Sequence, residues 1–293
     1  MNAAASNRRL PVGEVLSAGG RLFVGGLPGI FPWILAAEII GALPIAGAGG
    51  GLLSADLSRL AQPAYVVWLL FAICAQTFLY GMAILKLAQR DGTPVVSPMR
   101  QAIRSIPALF IAYLIYELLV VFGVGFAFIL MLLFALLLGV LPGVLVAIIP
   151  LAPTAWISTA LAFFAYPAVL ERRGPFDSLG RSLQLAKSNW VRAAGVVSVP
   201  AIALLVVALL QDVMPAINMW HQTTQLLSQV SSQASVANLQ SLMTHLDANQ
   251  KAVSYPWWQA FTVLLSALAW WYAVAVCYVE YRNLSGAAAV TER

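Results

Sequence analysis

Hydrophobic positions along this chain follow two alternating patterns. Long apolar runs, each near the roughly 20 residues that carry a helix across a bilayer, predict spans at about Leu27 to Pro44, Ala64 to Leu87 and Pro107 to Leu138. A return span closes near Leu170, and two more run from about Val191 to Leu210 and Trp257 to Tyr281. Between Arg104 and Glu171 the only charged residue is Glu117, which is too much apolar chain for one span and suits two joined by a tight turn. That turn, from Leu138 to Pro153, has no polar residue beyond Gly and Pro. It is expected to be buried or interfacial, because non-helical backbone at membrane depth needs protein or water to satisfy it.

The second pattern is short and amphipathic. Leu10–Phe23, Val95–Ile106 and Phe176–Trp190 each place apolar residues at i, i+3, i+7 and i+10, the spacing of one helix face. The residues are Val12, Val15, Gly19, Leu22; Val96, Met99, Ile103, Ile106; and Phe176, Leu179, Leu183, Ala186, with starts 84 and 80 residues apart. A proline closely precedes each (Pro11, Pro94, Pro175), as suits a first helical turn, and two spans follow each. The expectation is an all-α integral membrane protein: six transmembrane helices in three helix-plus-hairpin repeats, each led by a cytoplasmic interfacial helix. Residues 1–293 form one polytopic domain with repeats at about 10–92, 93–173 and 174–286. Each unit holds two spans, so any pseudo-symmetry axis lies along the membrane normal. The Gln- and Ser-rich segment 212–255 reads as an extracytoplasmic insertion bearing two surface helices.

Composition strengthens this picture. Hydrophobic residues make up 61% of 293 and charged residues 9%, against about 25% charged in a soluble domain. Of the 16 Lys and Arg residues, all but Arg59 and Lys251 lie beside the amphipathic segments or at the termini. That bias puts both termini in the cytoplasm and requires an even number of spans. The first span, starting near Leu27, is expected to be retained. Net charge +5 needs no nucleic acid to explain it, since topology already places the cations. Cys74 and Cys277 both fall in spans and read as small apolar residues.

The run Y-P-A-V-L-E-R-R-G-P-F-D-S-L-G-R-S-L-Q-L-A-K-S-N-W-V-R, from Tyr166 to Arg192, resembles the repeated cytoplasmic segment of bacterial multi-pass inner-membrane proteins related to the membrane domain of glycerophosphoryl diester phosphodiesterases. The closing C-Y-V-E-Y-R, Cys277 to Arg282, is similar to that family's aromatic-acidic-basic end. The resemblance implies a multi-pass protein of the bacterial cell inner membrane. It does not bring the hydrolase activity, which belongs to a separate barrel of at least about 200 residues.

Candidate chemistry is sparse. Glu38 and Glu117 sit inside spans, where an ionisable group costs about 2.5–3.5 kcal/mol and usually faces the bundle interior. Either they are proton or cation sites, or they are carboxyls bonded to polar neighbours such as Gln76, Tyr80 or Tyr116. Arg172, Arg173, Arg181 and Lys187 are either topology anchors or a pocket for lipid head groups. The two histidines, His221 and His245, are too far apart in sequence to promise a metal site, and no nucleophile, phosphate-loop or Cys-x-x-Cys motif occurs. No enzyme, cofactor or metal is expected. Membrane lipids, anionic ones among them, are the expected partners, with a protein partner or second copy left open. Close packing at Gly25, Gly26, Gly29, Gly123 and Gly125 could serve contacts within one chain or between chains. Two functional readings follow. The first is a non-enzymatic lipid-interacting scaffold or envelope-maintenance factor. The alternative is a transporter or channel for a small solute or lipid.

Overall fold

A computed structural model describes residues 10–47, 63–95, 97–187, 189–230 and 256–291. The described chain is helical throughout, without a strand. In order the helices are α1 (Val12–Gly26), α2 (Phe31–Gly47), α3 (Pro63–Arg90), α4 (Pro98–Leu138), α5 (Val140–Leu161), α6 (Ala165–Leu170), α7 (Pro175–Lys187), α8 (Trp190–Val230) and α9 (Pro256–Thr291). Five stretches are long and apolar enough to cross a membrane, or six if the sharply bent pair α1 and Phe31–Ala42 counts as one span. The chain is therefore built as a multi-pass membrane protein. In the most apolar window of α4 only 6% of residues are buried by protein, so that helix presents its surface to a non-aqueous environment rather than to a core.

Local sequence explains most of the breaks. Between α1 and α2 the run Gly25-Gly26-Leu27-Pro28-Gly29 ends the first helix, since Pro28 has no N–H and its ring opposes the carbonyl four residues back. The chain re-forms through Ile30 N–H bonding to the Gly26 carbonyl at 2.8 Å. Gly139, at φ 98°, is the single residue between α4 and α5, a conformation that side chains disfavour. Pro175 opens α7 in the favoured first-turn position, with Asp177 in its first turn and Lys187 in its last, both favourable to the helix dipole.

Three expectations need correction. The stretch Val95–Ile106, expected as a separate helix before span three, is not separate: from Pro98 it is the start of the continuous 41-residue α4, with Pro107 inside it. One proline removes a single backbone hydrogen bond, and membrane helices tolerate that. The turn expected over Leu138–Pro153 narrows to Gly139, because α5 is already helical from Val140. The polar stretch after Asp212 does not begin a new element, because α8 runs unbroken from Trp190 to Val230. Residues 231–255, and the Gly-rich stretch 48–62, lie outside the described residues.

By contacts the chain divides into two compact units. The first draws on Met1–Ile34, Thr77–Ala201 and Trp271–Arg293. Its core joins Val15 of α1, Val196 of α8 and Val276 of α9, all fully buried. Gly19 allows this approach: a methyl there would lie 2.6 Å from Val276 Cγ2 and 2.9 Å from its Cα. Gly26 lies flat against the Trp271 indole, whose Nε1 donates to the Phe23 carbonyl at 2.9 Å. Gly123 makes room for Thr154 where α4 meets α5. These glycines serve contacts within the chain, whereas Gly29 and Gly125 have nothing within 4 Å. The second unit draws on Leu35–Gln76 and Ile202–Trp270. Small residues form its interior, with Ala37 and Ala267 fully buried and Thr262 nearly so.

Candidate functional site

The end of α9 organises the polar side of the first unit. Helical spacing sends its residues 278–283 to several neighbouring segments at once. Glu280, fully buried, receives two parallel bonds from Arg192 at the start of α8, Nε to Oε1 at 2.7 Å and Nη2 to Oε2 at 3.0 Å. Asn283 adds a third donor at 3.2 Å and accepts from the Leu10 backbone N–H at 3.1 Å. This forked geometry is the strong form of an ion pair. The Tyr278 hydroxyl donates to Asp91 at 3.0 Å, and Arg282 pairs with the same carboxylate at 2.9 Å. Because Asp91 and Arg282 are well exposed, that second pair adds little stability.

Tyr281 reaches the junction of α6 and α7. Its hydroxyl donates to Glu171 at 2.6 Å, and its ring stacks on Tyr166 with centroids 5.2 Å apart. Tyr166 in turn donates to the Val274 carbonyl at 2.8 Å. Glu171 also accepts from Arg173, and Arg181 stands 3.7 Å away. Burial alone would raise the Glu171 carboxyl. The hydrogen bonds from Tyr281 and Arg173, with the charges of Arg173 and Arg181, outweigh it and hold the group below its ordinary value. The bond to Glu171 correspondingly raises Arg173. Ser182 of α7 fixes the adjoining turn, donating to the Ala160 carbonyl at 2.7 Å and accepting from Phe163 N–H at 3.1 Å.

Beside this network, the first turns of α4 and the α6–α7 junction enclose a cleft of about 340 Å³, lined by Arg100, Arg104, Arg172 and Arg173. Gln101 holds the two walls together, donating to the Val169 carbonyl at 2.8 Å and accepting from Arg172 at 3.4 Å. Arg172 is the one non-glycine residue among those described with positive φ, 54°. A second cleft, of about 440 Å³, is lined by Arg21, Asp91, Tyr278 and Arg282 among others.

The sequence-derived candidates divide accordingly. Arg172 and Arg173 line the first cleft; Arg181 instead faces Glu171, and Lys187 is exposed at the end of α7. Neither cleft is lined by Glu38 or Glu117. Glu38, in the second unit, accepts from the Ser266 hydroxyl at 2.6 Å. Glu117, in the first unit, is half-buried in α4. His245 lies outside the described residues.

Sequence reasoning missed Glu280, Arg192, Glu171 and the arginines of α4 as members of one polar face. A signal existed for the first: Glu280 follows an apolar run with tyrosines on either side, and an acid there requires a partner. No family model matches the chain, and neither does any curated protein or solved structure.

Proposed function

We propose that this is a non-enzymatic multi-pass protein of the bacterial inner membrane, acting as a lipid-interacting scaffold in envelope maintenance. One observation carries the reading. Arginines stand beside uncovered apolar side chains: Met99 and Ile103, next to Arg100 and Arg104 in the first turns of α4, are 63% and 50% exposed, and Phe176, three residues beyond Arg173, is 72% exposed. Such a surface satisfies acyl chains and anionic head groups together, and each cation near an anionic leaflet is worth about 1 kcal/mol before screening.

Charge supports the orientation. Every Lys and Arg among the described residues belongs to the first unit, which fits that unit's polar face lying in the cytoplasm, with both termini. α1, the first turns of α4 and α7 are then the interfacial elements of three repeats. The resemblance of residues 166–192 to the repeated cytoplasmic segment of the phosphodiesterase-associated family agrees with this reading.

The test is lipid analysis of the full chain extracted with its surrounding bilayer. Anionic phospholipid should be enriched over bulk membrane, and equal composition would refute the proposal. The short Ser266–Glu38 bond favours a second reading, transport of a solute or proton coupled to that carboxyl. Proteoliposomes under a pH gradient separate the two: proton flux abolished by Glu38→Gln would replace the scaffold with a transporter.

A further inference from the structure

We infer that the cleft between the start of α4 and the α6–α7 junction binds a phosphoryl group bearing more than one negative charge. The inference rests on the lipid-interacting reading above and gives it a site and a ligand class. Of the four guanidinium groups lining the cleft, Arg173 is neutralised by Glu171. Among the described residues Arg100, Arg104 and Arg172 have no carboxylate within ion-pair distance. Three uncompensated cations around one concavity repel each other, and a bound anion relieves that repulsion.

The chemistry favours phosphate over carboxylate. A guanidinium presents a planar fork of donors that matches phosphate oxygens two at a time, and a tetrahedral phosphoryl group can engage more than one fork at once. Position is fixed as well as charge. Gln101 holds the Arg172 side chain while its amide ties α4 to the last turn of α6. The α4 helix starts at the same place, with Ser97 at its N-cap making no side-chain capping bond; Pro98 has no N–H, which leaves the backbone N–H groups of Met99 and Arg100 available to an anion. Ala108, Ala168 and Val169 give the cleft an apolar side, suited to the carbon part of a phosphate ester.

Two sources share this chemistry, a phospholipid head group and a soluble phosphate ester. The exposed Met99 and Ile103 beside the arginines favour the lipid. The full-length protein would be delipidated in detergent and titrated with phosphatidate, then with phosphatidylcholine of the same chains, using native mass spectrometry to count bound molecules. Inorganic phosphate and pyrophosphate would be added in separate competition arms. Phosphatidate should bind in preference to phosphatidylcholine, and the double variant R100Q/R104Q should weaken it about tenfold, from two cations in a screened site. R100K/R104K, which keeps charge and loses the forks, should fall between. Arg21→Gln, outside the cleft, should change binding less than twofold.

Displacement by millimolar phosphate or pyrophosphate would support a phosphoryl site served from solution; no displacement would support the lipid source. If R100Q/R104Q binds phosphatidate as tightly as the parent, the site is wrong while the lipid-interacting reading stands. If the parent shows no preference for phosphatidate and no affinity for pyrophosphate, both fall.

Discussion

Removing the Glu280 carboxylate tests whether the end of α9 holds the first unit together. In Glu280→Ala the fully buried acid disappears and Arg192, whose side chain is 18% exposed, keeps its charge without the two bonds at 2.7 and 3.0 Å. Losing one partner of a buried pair costs about 3–5 kcal/mol. Arg192 can reach some water, so the lower end applies, about 3 kcal/mol. With a shift of about 2–4 °C per kcal/mol for chains approaching this size, unfolding should move down by about 6–12 °C.

Cys277, buried one helical turn before Glu280, provides the reporter. In a Cys74→Ala background it is the only thiol, and a thiol-reactive fluorophore reads its exposure on heating. Glu280→Gln keeps shape and an acceptor oxygen and should lose about half as much. The double variant R192M/E280M removes both charges and should recover most of the loss, because an apolar pair of similar volume has no charge to desolvate. An unfolding temperature for Glu280→Ala within about 1 °C of the parent would refute the pairing as a structural tie.

Two further outcomes follow from the same geometry. The folded Glu171 carboxyl is held below its ordinary value of 4.5, so its pairing stabilises fully above that value and is lost as pH falls through the lower folded one. Glu171→Gln should therefore lower the unfolding temperature at pH 7, and the gap to the parent should close in acid; a gap that persists to pH of about 2 contradicts the assignment. Gly19→Ala should destabilise by about 1–3 kcal/mol, because the new methyl meets the Val276 backbone. Gly20→Ala, with nothing within 4 Å, should stabilise α1 by about 0.5–1 kcal/mol; the same thermal assay compares them, and equal effects would refute the close approach.

What the sequence determined by itself is five membrane-length helices and most of their breaks; the expected first span, Leu27 to Pro44, qualifies only when α1 and Phe31–Ala42 count as one bent pair. Lengths and breaks are both local quantities: bilayer thickness sets the length of an apolar run, Pro28 with its glycines interrupts the helical hydrogen bonds, and Gly139 takes a positive φ that a helix interior does not hold. Local pattern could not decide whether 98–106 forms its own helix, because Pro107 permits either a break or a continuous α4. It misjudged Asp212 for a related reason, since polar residues within a helix resemble a loop in composition.

Only the tertiary structure decided which charges meet. Arg192 and Glu280 are 88 positions apart, and Arg172 and Gln101 are 71, separations across which no periodicity carries information. The expected grouping of Arg172, Arg173, Arg181 and Lys187 followed sequence proximity. Packing α4 against α6 and α7 instead set Arg100 and Arg104 beside Arg172 and Arg173, and turned Arg181 toward Glu171. Hydrophobic length is written along the chain, whereas a charge finds its partner only when distant helices pack side by side.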